Sequence, residues 1–169
     1  HEVQKVDMID YDTLASMLDM KYVEDFRKRG LTPENPVLKV GAQNPDVYFQ
    51  GRETVNVYYS KVPGIVKKYM DLLASKVGRK YNLFDYVGAK DAEKIIILMG
   101  SGCKTVEETV KYLNKKGEKL GLIKVRLFRP FSAEDMIAAI PATVKKIAVL
   151  DRTKEPGAPG EPLYLDICT

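Results

Sequence analysis

Apolar residues recur at spacings of three and four through Leu14, Met17, Leu18, Tyr22 and Phe26, which predicts an amphipathic helix. A short extended piece, Val3 to Ile9, precedes it. Asp12 stands where a carboxylate can cap the first turn by accepting a free backbone N–H. Arg27, Lys28 and Arg29 fall in the last turn, where cations suit the helix dipole, and Gly30 follows as the residue beyond the end. A second stripe runs through Val62, Ile65, Val66, Tyr69, Met70, Leu73 and Val77 and stops at Gly78. Pro63 either opens this helix in its first turn or kinks a longer one begun near Thr54, because proline lacks a donor and clashes one turn back. Between the two stripes, residues 32–53 carry Pro33, Pro36, Pro45, Gly41 and Gly51, and are expected to form a long irregular connection.

The pattern changes near residue 88. Lys94 to Met99 is almost entirely aliphatic, as a strand buried on both faces reads. Gly100-Ser101-Gly102 is a turn, and Thr105 with Glu108 three residues later forms a capping-box pattern for a helix ending at Gly117. Val106, Val110 and Leu113 face inward on that helix. Leu122 to Phe128 is the next strand, with Ile123, Val125 and Leu127 on one face and Lys124 and Arg126 on the other. The cations mark it as an edge. Ser132 opens a third helix with Glu134 and Asp135 in its first turn and Ala138, Ala139 and Ile140 inward. Lys146 to Asp151 is a third strand of the buried kind. Strands alternating with helices across short loops mean right-handed crossovers and a parallel sheet, here in spatial order 2-1-3 with the Lys94–Ser101 strand central. After it, Thr153 to Pro162 holds three prolines and two glycines, a composition that favours one rigid loop, and Pro162 begins a last helical pattern. The expected organisation is therefore a helical and extended connecting segment over residues 1–88 and an α/β core domain over residues 89–169. The core has a three-stranded parallel sheet and is expected to be truncated at its C-terminus. Residues 1–80 should form an appendage and not a second compact domain, since two stripes enclose too little core.

Composition narrows what such a chain does. A net charge of +4 is too mild, and too dispersed, for a nucleic-acid partner. The longest apolar run is far short of the ~20 residues of a membrane span, and His1-Glu2 opens a polar stretch and not a secretory leader. Cys103 and Cys168 lie in no metal-ligand spacing, which argues against a disulfide framework, a structural zinc or a self-contained iron–sulfur cluster. The sole histidine is residue 1, which leaves no Ser–His–Asp or Cys–His arrangement. Gly100, Ser101 and Gly102 sit between a strand and a helix, where phosphates bind, but without a complete dinucleotide fingerprint or a P-loop lysine they read first as a tight turn. Cys103 beside them reads as a passive thiol. Asp151 and Arg152 occupy the carboxyl end of the third strand, the ligand edge of open α/β sheets, or form a local ion pair holding the next loop. Arg126 and Arg129 read first as solvated or paired surface charge, and otherwise would meet an anion or a neighbouring domain. No catalytic, cofactor-binding or metal residue is assigned.

Several stretches together resemble pyruvate:ferredoxin (flavodoxin) oxidoreductase. They are Ala42–Gln50 (AQNPDVYFQ) with Arg52-Glu53 and Tyr58-Tyr59, Val62–Met70 (VPGIVKKYM), Gly78–Gly88 (GRKYNLFDYVG), Val125–Phe131 (VRLFRPF) and Leu150–Asp166 (LDRTKEPGAPGEPLYLD). The resemblance implies a longer, multidomain enzyme. Such an enzyme decarboxylates pyruvate with thiamine diphosphate and Mg, passes electrons through [4Fe–4S] clusters to ferredoxin or flavodoxin, and transfers the acetyl group to coenzyme A. It implies a transketolase C-terminal-domain-like fold for core domain II, other domains of the same enzyme as partners, a homodimer, and a cytoplasmic location or, in a eukaryote, an anaerobic organelle such as the hydrogenosome. The family's thiamine, pyruvate and cluster residues match no positions here, so the segment itself is expected to be a non-catalytic scaffold. Two other readings stay open: a stand-alone nucleotide- or coenzyme A-binding α/β module, and a non-enzymatic interaction domain.

Overall fold

The computed structural model describes residues 6–36 and 41–169, so most of the extended piece expected at Val3–Ile9 lies outside the described residues. The chain divides into two units, His1–Lys61 with Lys68–Lys80, and Val62–Lys67 with Tyr81–Thr169.

In the first unit the expected N-terminal helix is two short ones, α1 (Tyr11–Ser16) and α2 (Met20–Lys28). Asp10, not Asp12, caps α1. Its carboxylate accepts the Thr13 N–H at 2.7 Å and the Thr13 hydroxyl at 2.8 Å, and both bonds lower its pKa. Asp19 then breaks the stripe by accepting the Lys21 N–H at 3.1 Å, since aspartate competes better at a cap than inside a helix. Gly30 does not take the left-handed conformation. The Asn35 side-chain amide satisfies the end of α2 instead, donating to the Lys28 and Gly30 carbonyls at 3.2 and 3.0 Å. The connection over residues 32–53 is not irregular throughout. Pro45 opens α3 (Pro45–Glu53), because a fixed φ and a missing donor suit the first turn. After α4 (Asn56–Tyr59), Pro63 does the same for α5 (Val62–Val77), which resolves the alternative in favour of a helix start. Gly78 ends α5 with φ 71°, donating to the Ala74 carbonyl at 2.9 Å.

No described residue of this unit is buried. A peptide of residues 1–85 is therefore expected to give no cooperative thermal transition by circular dichroism. A sharp melt would show a core that the fold does not provide.

The second unit holds β1 (Phe84–Gly88), β2 (Lys94–Leu98), α6 (Gly102–Lys115), β3 (Leu120–Val125), α7 (Ala133–Ala138), β4 (Lys146–Val149) and α8 (Pro162–Cys168). The sheet has four strands in the order β1-β3-β2-β4. β2 runs parallel to both β3 and β4, and β1 runs antiparallel to β3. Three sequence expectations are corrected here. The sheet is mixed and four-stranded. Phe84–Gly88 belongs to it and not to the connection. β3 is flanked on both sides. The cations on β3 are matched and so do not mark an edge: Lys124 meets Glu107 of α6 at 2.5 Å, and Arg126 pairs with Asp85 of β1.

The capping box is also absent. Gly100, with φ 80°, turns the chain directly into α6 at Gly102, and Thr105 lies inside the helix. Glu108 pairs with Lys111 instead. On α7, Ser132 caps as expected by accepting the Asp135 N–H, but the buried residue is Met136, while Ala138 is exposed.

One face of the sheet meets α6, with Val110 packed on Leu98 and Leu122. On the other face Ile95, Ile97 and Ile123 are no more than 2% exposed. Phe131, at the head of α7, stacks edge-on against Phe84 at 5.5 Å. α8 contributes the wholly buried Leu163, and its Asp166 meets Arg129 at 2.5 Å.

Asn114 ties α6 to β3, donating to the Leu120 carbonyl and accepting its N–H, each at 2.9 Å. Asn114→Ala is expected to cost about 1–3 kcal/mol in urea unfolding, since the Leu120 N–H loses its partner and the Leu120 carbonyl keeps only the Ala89 N–H. An unchanged midpoint would mean that water replaces both bonds.

Candidate functional site

The carboxyl ends of β2, β3 and β4 form the edge at which ligands bind in open α/β sheets. The sequence candidates do meet there. Leu98, Met99, Gly100, Ser101 and Gly102 face Leu150, Asp151 and Arg152 across a hollow of about 450 Å³. An adjoining hollow of about 380 Å³ is lined by Gly100, Cys103, Lys104, Lys124, Val125 and Arg126. Thus Gly100–Gly102, Asp151 and Arg152 share one concavity, and Arg126 lines the next.

The chemistry around them is largely satisfied. The Arg126 guanidinium pairs with Asp85 and stacks 4.4 Å from the centre of the Tyr81 ring. Asp85 in turn accepts the Asn82 backbone N–H and side-chain amide, each at 3.0 Å. Asp151 does not form the expected local ion pair among the described residues. Its carboxylate accepts the Tyr164 N–H at 3.1 Å and so caps α8 from thirteen residues upstream, where Glu161 makes no side-chain cap. Lys154 and Glu161 meet at 2.6 Å and close the proline-rich loop. Arg129 spends its charge on Asp166 and lies over the Phe128 ring. Burial pushes the Cys103 thiol up, against the pull of Lys124 and Arg126, which keeps it protonated and poorly nucleophilic.

Sequence reasoning missed Glu107, whose carboxylate is shared by Lys111 at 2.8 Å and Lys124 at 2.5 Å. These bonds hold its pKa at about 2. Its folded pKa lies below the unfolded value of 4.5, so the stabilisation is full above 4.5 and is lost as pH falls toward 2. Glu107→Gln is expected to lower stability by about 1–2 kcal/mol at neutral pH and to match the wild type at the acid end of that window. A deficit that persists unchanged in acid would assign the effect to packing.

Among the described residues, no group of three His, Cys, Asp or Glu side chains stands close enough to hold a metal ion, and no helix is long and apolar enough to cross a membrane.

An open α/β sheet unit with a helical unit ahead of it is an architecture shared by many activities, and comparison with known proteins assigns the chain more narrowly. A family model described as "Pyruvate flavodoxin/ferredoxin oxidoreductase, thiamine diP-bdg" matches residues 1–71. One described as "Pyruvate:ferredoxin oxidoreductase core domain II" matches residues 92–169. The pyruvate:ferredoxin oxidoreductase of Moorella thermoacetica is 59% identical over all 169 residues, and the pyruvate-flavodoxin oxidoreductase of Trichormus variabilis is 56% identical over the same length. The chain spans 14% of the length of each. A solved 2-oxoglutarate:ferredoxin oxidoreductase from Magnetococcus marinus aligns with 50% of this chain and 15% of its own, at 26% identity and a TM-score of 0.35, too slight a likeness to bear on the fold. The chain belongs to the pyruvate:ferredoxin (flavodoxin) oxidoreductase family.

Proposed function

We propose that these residues are one segment of a longer pyruvate:ferredoxin or flavodoxin oxidoreductase, a thiamine diphosphate and iron–sulfur enzyme that converts pyruvate to acetyl-coenzyme A. Identity of 59% along the entire chain, through two family models in tandem, carries the reading. The segment's own task is architectural. Residues up to about 80 connect, and the sheet unit that β1 opens is core domain II, holding neighbouring domains in register.

Residues 1–71 match a family model described as thiamine-diphosphate-binding, and no group of three His, Cys, Asp or Glu side chains stands together among the described residues. Thiamine diphosphate, Mg, clusters and the main coenzyme A site belong, on this reading, to other parts of the longer chain. The rim of Gly100, Ser101, Gly102, Arg126, Asp151 and Arg152 then serves as a contact surface for those parts. The whole enzyme would work as a homodimer in the cytoplasm, with ferredoxin or flavodoxin as its redox partner.

The test is to express the full reading frame and the 169-residue chain side by side. The full product should reduce viologen dye in the presence of pyruvate and coenzyme A. The short chain should be colourless and inactive, and coenzyme A should not raise its melting temperature. A clear ligand-dependent rise would favour a coenzyme A-binding module instead.

A further inference from the structure

We draw no further inference here: the strongest candidate, the hollow of about 380 Å³ that Gly100, Cys103, Lys104, Lys124, Val125 and Arg126 line at the carboxyl ends of β2 and β3, carries nothing, because Glu107 and Asp85 already match Lys124 and Arg126, which leaves the N-terminus of α6 and a lone cysteine, neither of which specifies a ligand.

Discussion

Gly88→Ala is expected to cost the 169-residue chain about 2–5 kcal/mol and to strip β1 from the sheet. Gly88 has φ 145°, a conformation that L side chains rarely adopt. A Cβ built there would stand 2.4 Å from the Leu120 carbonyl oxygen and 2.7 Å from the Gly121 Cα. Both are backbone atoms of the partner strand, so neither can swing aside as a side chain would. Relief requires β1 to lift away at the Gly88–Gly121 pair, which also removes the Ala89 N–H bond to the Leu120 carbonyl at 3.0 Å. Gly121→Ala makes the informative contrast. The three atoms nearest its Cβ would all belong to the Tyr86 side chain, the hydroxyl at 2.5 Å. That ring can turn, at the cost of its bond to the Ala89 carbonyl. The Gly121 variant should therefore unfold at a urea midpoint between those of the wild type and the Gly88 variant. Equal midpoints for all three would mean that β1 contributes nothing to the folded state.

The same corner marks where the sequence could and could not be read. Ile95–Leu98 declared itself as a core strand, because aliphatic runs have few other uses in a chain of this composition, and Leu122–Val125 was legible as a strand by its alternation. Pro63 and Gly78 marked the limits of α5 through local backbone chemistry alone. β1 was hidden because FDYVG carries an aspartate whose partner, Arg126, lies 41 residues away. Neither charge reveals its neutralisation until the strands are paired. The cations of β3 misled for the same reason, since Glu107 sits on a helix that precedes the strand. Asp151 follows β4 at its carboxyl end, and its cap on Tyr164 depends on a loop closure that periodicity does not encode. Conversely, the stripe of α1 and α2 was legible as a stripe, while Leu14, Leu18, Tyr22 and Phe26 stand exposed.

Leu122→Ala should cost about 2–5 kcal/mol, by losing burial and by leaving a cavity that its neighbours fill only in part. Leu122 has no exposed surface and lies in the cluster that joins β3 to α6 through Leu98 and Val110. Both flanking strands hold its backbone, β1 through Val87 and β2 through Ile96, so β3 cannot shift to close the gap. α6 is held from its own end by the paired Asn114 bonds to Leu120, which limits its sinking onto the sheet. These restraints argue for the upper half of the range. Leu122→Met, which keeps the volume, should cost under about 1.5 kcal/mol. Leu150→Ala, at a position 48% exposed, should stay within about 0.5 kcal/mol in the 169-residue chain. Urea unfolding of the three variants supplies the check. A Leu122→Ala cost no larger than that of Leu150→Ala would mean that the α6 face of the sheet is not a packed core.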